Sequence, residues 1–240
     1  AIAARTYALF QRLSKTAVDY DVTSDVLSQV YGGKTGEKWR TNRIVRETSG
    51  LILVHQGKVF PAFYHSTCGG LTEDAKVMGS FDLAPLKGGR ACAFCRESPF
   101  YRWQRRVTPA DVAWAVKQQR GTSIWPVTNF EIVRQTATGR VDQVRMVGSR
   151  SLLLTGYEFR HLLGFSTIRS TAFSITRLGE VFLLHGQGWG HGVGLCQWGT
   201  AELARRGLRA NEILSFYYPQ AEVVRLGEVP LRAIPTKEDR

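Results

Sequence analysis

A segment near the end of the chain combines ligand-binding side chains with regularly spaced glycines. Residues 185–198 read HGQGWGHGVGLCQW, and glycine occupies every second position from 186 to 194. In an extended chain alternate side chains point to one face, so the residues between the glycines would form a polar and aromatic strip. Indole rings stack on sugars, and imidazole and amide groups hydrogen-bond sugar hydroxyls. The pattern predicts a sugar-binding strip with five substrate-binding candidates: His185, Gln187, Trp189, His191 and Gln197.

The same pattern has a structural interpretation. A glycine strand packed tightly in a sheet would hold His185 and His191 as hydrogen-bonded core residues. The segment lacks the glycine spacing of dinucleotide- and phosphate-binding loops, so a nucleotide site is not indicated there.

Four residues between positions 65 and 95 form a second candidate site. One imidazole and three thiolates are a common ligand set for a closed structural zinc, and such a metal would staple a long irregular segment. The predicted ligands are His65, Cys68, Cys92 and Cys95. His185 or His191 could replace His65 as the fourth ligand. Disulfides within Cys92-x-x-Cys95 or involving Cys68, or free buried thiols, are the alternatives.

Carboxylic acids near these two segments are candidates for acid–base chemistry. They are Glu73, Asp74, Glu97 and Glu202. Glu73 is favoured, because the Gly69-Gly70 turn would set it at the end of a loop that faces the site. Neither the His-Glu-x-x-His motif of zinc proteases nor the Gly-x-Ser-x-Gly elbow of serine hydrolases is present, which argues against both chemistries.

Composition bounds the class of protein. The 240 residues are 43% hydrophobic and 22% charged, and the net charge is +12. These values suit a globular chain, and no apolar run approaches the roughly 18 residues of a membrane span. The charge favours a polyanionic partner, for which nucleic acid, a cell wall and an anionic membrane surface are the candidates. The basic residues are scattered, so a solvated basic surface is as well supported as a specific anion site. The scatter also argues against a nucleic-acid binder.

The elements that must position these residues can be read from periodicity and caps. A helix is predicted over 1–14, a hairpin over 50–64 and an irregular segment over 65–107. Thr108 and Pro109 mark the start of a further helix. The remaining predicted elements follow in order: strands at 130–135, 141–147 and 151–155, a helix at 157–163, a hairpin at 172–184, a helix at 195–206, and a short helix that runs into Tyr217-Tyr218-Pro219. The predicted fold is a mixed, β-rich α+β single domain, divisible into two lobes, with a metal-stapled irregular segment.

Five motifs, in this order, resemble the stage II sporulation protein D family, which includes the LytB amidase enhancer. They are Ala3-Ala4-Arg5-Thr6-Tyr7-Ala8, Ser28–Gly33, Thr48-Ser49-Gly50, His65-Ser66-Thr67-Cys68-Gly69-Gly70-x-Thr72-Glu73 and Gly188–Gly199. The resemblance assigns 1–228 to one peptidoglycan-glycan domain and leaves 229–240 as a polar tail.

The resemblance implies a lytic transglycosylase that acts on glycan strands stripped of stem peptides. Such an enzyme uses one carboxylic acid to protonate the glycosidic oxygen and then to activate the sugar's own hydroxyl. The family's glutamate precedes the Ala-Ala-Arg-Thr-Tyr helix, so it is expected upstream of Ala1 in an N-terminally truncated chain that binds glycan without cutting it. The supporting catalytic candidates in this chain are Arg5, Tyr7, Ser66 and Glu73.

The resemblance leaves a second function open. The chain could be a non-catalytic glycan-binding module that enhances a cell-wall amidase. In either case the expected location is extracytoplasmic, in the cell wall or periplasm, with anchoring or secretion through a segment upstream. No nucleic acid partner is expected.

Overall fold

The computed structural model describes residues 1–14, 20–24, 32–79, 81–228 and 230–235. Most of the family motif at Ser28–Gly33 and much of the tail 229–240 lie outside the described residues. No helix in these ranges is long and apolar enough to cross a membrane.

The chain begins with two helices and a small sheet. Helix α1 (Ile2–Ser14) and helix α2 (Trp39–Glu47) precede strands β1 (Leu51–His55) and β2 (Lys58–Val59). The predicted hairpin turns where Gln56 and Gly57 adopt positive φ angles. Its second strand ends at Val59 rather than at residue 64, since the next two-residue strand, β3 (Tyr64–His65), pairs in parallel with a distant strand.

The segment expected to be irregular from 65 to 107 is shorter than predicted. It contains three single-turn 3-10 helices at 75–78, 84–86 and 93–95. Strand β4 (Arg102–Val107) then follows, with alternating burial that matches its apolar Trp103 and Val107. This part of the chain is a strand because it pairs with residues 182–187, about 80 positions later. The local sequence does not reveal that pairing.

The middle of the chain forms two three-stranded antiparallel sheets. The first has the order β4–β9–β8, with β8 (Phe173–Leu178) and β9 (Val181–Gln187) forming the predicted second hairpin. The other has the order β5–β6–β7, from Asn129–Gln135, Val141–Val147 and Ser151–Thr155.

Two helices flank these sheets. The first begins where the sequence predicts, and the second begins at Gly156, one residue before the predicted start at 157. Thr108 begins α3 (Pro109–Arg120) and Thr155 begins α4 (Gly156–Leu163), each through a reciprocal capping box.

The chain then returns to its first part. Strand β10 (Leu195–Cys196) pairs with β3, helices α5 (Gln197–Arg205) and α6 (Ala210–Tyr217) follow, and β11 (Glu222–Arg225) pairs with β1. The predicted helix at 195–206 therefore begins two residues later, because Leu195 and Cys196 are in a strand.

The buried apolar side chains of the described residues form two large clusters and one small one. One cluster of buried side chains joins the beginning and end of the chain, and includes Tyr7, Phe60, Leu203 and Tyr218. A second cluster lies wholly between Trp103 and Leu184. The small cluster consists of Phe10, Ile52, Val54 and Val59. The fold is mixed α and β. We call the cluster made by both ends of the chain the outer core, and the cluster made by its middle the middle core.

Candidate functional site

The exposed face of the sheet β4–β9–β8 carries a row of polar side chains. Gln187 lies opposite Arg102, and His185 lies between Gln104 on one side and Ser174 on the other. All five side chains are exposed. Gln104 donates a hydrogen bond from Nε2 to Nδ1 of His185 at 2.9 Å. The alternation predicted for the glycine segment therefore holds in β9 and places His185 and Gln187 on one face.

Two adjoining hollows of about 310 and 490 Å³ meet at this polar row. Both are lined by Ser174, His185 and Gln187. The first extends over Cys68, Gly69 and the turn at Thr138-Gly139, and the second extends over Arg102 and Gln104. Together they form one groove, which is large enough for a sugar unit in each hollow.

Beyond Gln187 the predicted extended strand is wrong. Gly188, Gly190, Gly192 and Gly194 all have positive φ angles, between 68° and 114°. Residues other than glycine rarely adopt this backbone, and the segment consequently winds rather than alternating. Isolated bridges tie it to neighbours on both sides, such as Thr67 opposite Trp189.

The bare face of these glycines is occupied by the chain itself. A Cβ on Gly194 would stand 2.1 Å from the carbonyl oxygen of Phe63, and one on Gly188 would stand 2.4 Å from that of Thr67. At Gly192 the Cβ would collide with the Arg140 guanidinium. The tight-packing interpretation therefore describes residues 188–194, whereas the groove is confined to the β9 part of the motif.

Trp189 lies away from the groove lining, in an aromatic cluster. Its ring meets Phe100 edge-on, with centroids 4.3 Å apart. The guanidinium of Arg169 lies 4.9 Å from the Phe100 centroid and 5.3 Å from that of Trp189, which is cation–π distance.

His191 is held by the backbone through both ring nitrogens. Its Nε2 donates to the carbonyl of Tyr64 at 3.1 Å, and its Nδ1 accepts from the amide of Val193 at 3.0 Å. Burial, with the charges of Arg160 and Arg140, lowers the pKa of His191 to about 4. His191 is thus neutral at pH 7 and fixed in one tautomer.

His65 is likewise neutral. Its Nδ1 donates to the carbonyl of Val193 at 3.0 Å, and its buried Nε2 has no hydrogen-bond partner among the described atoms. Burial, together with the neighbouring His191 and Arg140, lowers the pKa of His65 well below its ordinary value.

Glu73 is buried at 2% exposure and faces no solvent. Its Oε2 accepts hydrogen bonds of 2.6 Å from the hydroxyls of Thr136 and Thr138, and its Oε1 accepts one from the Asp74 amide. Arg140, also buried, donates to the carbonyl of Cys68 at 2.7 Å. These contacts hold the turn after β5 against the loop that carries Cys68. Glu73 and Arg140 therefore position these two segments relative to each other.

The other supporting candidates lie in different surroundings. Arg5 donates to the carbonyls of Val45, Thr48 and Leu51. Tyr7 is buried against the rings of Phe63 and Tyr64.

Two further candidates also lie outside the groove lining. Ser66 is half-buried beside the Thr67 hydroxyl, and Gln197 is the exposed first residue of α5.

The predicted metal ligands are partly brought together. The sulfurs of Cys68, Cys92, Cys95 and Cys196 are buried and lie within 4.8 Å of one another. Cys196 stands where a histidine was expected, and His65 is not in this group. Strand β10 brings Cys196 there, since its neighbour β3 leads directly to Cys68.

Sequence reasoning missed several residues of the site. Cys196 stands within the glycine motif, and its thiol was a usable signal. Strand pairing brings three of them to the groove: Arg102, Gln104 and Ser174. The fourth, Arg140, lies there because it is buried between distant segments. The sequence around these residues gives no local signal of their positions.

Two family models match separate parts of the chain. A family model described as "Stage II sporulation protein" matches residues 1–55. A domain family of unknown function (DUF8618) matches residues 93–194, which contain the whole middle core.

Several curated proteins are similar along most of the chain. An uncharacterised protein of Brachyspira hyodysenteriae is 30% identical over 93% of this chain and 60% of its own length. Stage II sporulation protein D of Bacillus subtilis is 27% identical over 93% of the chain and 66% of its own length. The amidase enhancer of the same organism is 24% identical over 91% of the chain and 36% of its own length. The chain thus spans less than two thirds of the length of each.

Proposed function

Because this chain belongs to the family of stage II sporulation protein D and the amidase enhancer, we propose that it acts in cell wall lysis. Within that role, we propose that its groove binds peptidoglycan glycan strands and serves a lytic transglycosylase. A location outside the cytoplasm follows from this substrate.

The observation that carries the proposal is the groove over β4–β9–β8. Its polar row offers amide, imidazole and hydroxyl groups at cross-strand spacing, which suits the many hydroxyls of a sugar chain. Arg102 adds a positive charge beside Gln187. A strand without stem peptides carries a free lactyl carboxylate on every second sugar, so a cation in the groove favours denuded glycan.

No Asp or Glu lines either hollow among the described residues. Lytic transglycosylation requires a carboxylic acid within hydrogen-bond reach of the glycosidic oxygen. Glu73 is buried and bound by two hydroxyls, and its role is structural. The described residues of the groove therefore offer binding groups, and we assign them the binding of glycan.

The same absence of an acid favours the second candidate, a glycan-binding module that enhances an amidase. The two candidates share the groove and differ in whether glycan is cut. A family member named as an amidase enhancer supports keeping this alternative.

Binding and cleavage can be tested separately. Gln187→Ala should weaken binding to denuded glycan about fivefold, the equivalent of about 1 kcal/mol for one hydrogen bond. Gln118→Ala, on the exposed face of α3, is the matched control and should bind like the unchanged chain. Equal glycan binding by the two variants would show that glycan does not bind in the groove.

The 240-residue chain should bind glycan and release no anhydro-sugars, as followed by mass spectrometry. Addition of the chain to a cell-wall amidase that hydrolyses intact peptidoglycan tests the alternative, which predicts a faster release of stem peptides. Cleavage by this chain that Glu73→Gln abolishes would overturn the assignment of Glu73 as structural.

A further inference from the structure

The four-cysteine cluster has the shape of a metal site. Its sulfurs come from three separate parts of the chain: the loop after β3, the 3-10 turn at 93–95 with the residue before it, and the end of β10. Sulfurs at the corners of a tetrahedron about 2.3 Å from a zinc ion stand about 3.8 Å apart. The mutual separations of up to 4.8 Å, with Cys68 and Cys95 at 3.4 Å, bracket that value. No cysteine is in a disulfide.

Hydrogen-bond donors converge on the sulfurs. The amide of Cys68 donates to the Cys196 sulfur at 3.3 Å, and that of Gly199 donates to it at 3.4 Å. The Gly70 amide donates to the Cys68 sulfur at 3.4 Å, and the Tyr217 hydroxyl lies 3.1 Å from the Cys92 sulfur. Donors of this kind compensate the charge of metal-bound thiolates, while neutral thiols accept hydrogen bonds weakly.

Charge balance points the same way. Four thiolates around a divalent ion carry a net charge of −2, which needs a positive neighbour when buried. Arg140 supplies one, since it is 2% exposed and donates to the carbonyl of Cys68. Its other terminal nitrogen has no hydrogen-bond partner among the described atoms. A buried guanidinium of this kind is costly to keep unless anionic groups lie close by. The carboxylate of Glu73 is one such group, and thiolates at Cys68, Cys95 and Cys196 would supply others.

We propose that Cys68, Cys92, Cys95 and Cys196 bind one structural zinc ion, and that His65 is not a ligand. Four thiolates leave no open coordination position, so the ion holds the fold and activates no water. It ties the Cys68–Gly69 part of the groove floor to the beginning of α5. The ion would thereby fix one wall of the first hollow.

The number of sulfur ligands gives the direct test. Elemental analysis of the intact chain should find one zinc per molecule, and zinc-edge X-ray absorption should find four sulfurs at about 2.3 Å. Three sulfurs with one nitrogen, iron in place of zinc, or no bound metal with a mass lowered by disulfides would each overturn the proposal.

Two variants separate the rival ligand sets. Cys196→Ser should bind less than half an equivalent of zinc after dialysis against a weak chelator, whereas His65→Ala should keep a full equivalent. Loss of zinc in His65→Ala with retention in Cys196→Ser would restore the histidine as ligand. If Cys196→Ser does not fold, the absorption measurement on the unchanged chain decides the matter.

Discussion

At the scale of single residues, two neutral histidines lie at the centre of the family motifs. The rings of His65 and His191 are 5.5 Å apart, and both use a backbone carbonyl as acceptor. Each ring proton therefore has a fixed place, and a second proton would add a positive charge beside Arg140 and Arg160. The motif histidines are best understood as parts of the frame that carries the groove.

This arrangement predicts acid sensitivity. The folded pKa of His191, about 4, lies below the ordinary value near 6.5, so the unfolded chain binds more protons between those values. Stability from His191 is complete above about pH 6.5 and is lost as the pH falls towards 4. Urea unfolding should therefore show lower stability at pH 5 than at pH 7. His191→Gln should lessen that pH dependence, while the exposed His161→Gln should not; equal dependence in the two variants would contradict the prediction.

At the scale of elements, helix α2 is held from its C-terminal end. None of its side chains is buried, and its last carbonyls and those that follow it are bound by Arg5 from α1. A guanidinium has five donors in a planar fork and can serve several carbonyls at once, whereas an ammonium is a compact charge. Arg5 therefore positions α2 against the start of β1.

Arg5→Lys should lower the free energy of unfolding by about 1–3 kcal/mol, since charged hydrogen bonds to two or more carbonyls are lost. Amide hydrogen exchange in Trp39–Glu47 should accelerate at the same time. The exposed Arg12→Lys, also in α1, is the control and should change neither. Unchanged exchange in Arg5→Lys would show that α2 is held by other contacts.

Elements with strong local signals were predictable, and those made by distant pairing were not. Thr108 indicates the start of α3, because a helix cap is a local signal. Strand β4 and the parallel pair β3–β10 depend on partners far along the chain, and the sequence near them resembles a loop. The extended strand predicted beyond Gln187 is wrong for the same reason. The bare face of these glycines touches residues 63–69, over a hundred positions earlier in the chain.

At the scale of the whole molecule, a few buried polar contacts join the two cores. Glu73 belongs to the loop beside the outer core, while Thr136 and Thr138 stand in the turn between two strands of the middle core. Gly139 in that turn lines the groove. The contact thus sets the position of one groove wall relative to the other.

Thr136→Val with Thr138→Val removes both hydroxyls and leaves a buried carboxylate short of donors. The double variant should lose about 2–4 kcal/mol of unfolding free energy, measured by urea denaturation, and should bind glycan more weakly through displacement of the turn. Thr176→Val on the exposed part of β8 is the control, with little expected change. Full stability in the double variant would mean that the cores are held by apolar contact alone.

The pairing of β10 with β3 also determines the order in which the two cores can fold during synthesis. Leu195 pairs with Tyr64, and β11 pairs with β1, so the outer core closes only once the end of the chain has been synthesised. The middle core draws only on residues between Trp103 and Leu184 and can form during synthesis. Until then β3 and one edge of β1 lack their partners, although β1 can pair with β2. A chain terminated before Leu195 would keep the polar row of β9 yet lose the partner of β3, and its early apolar residues would be left open to aggregation.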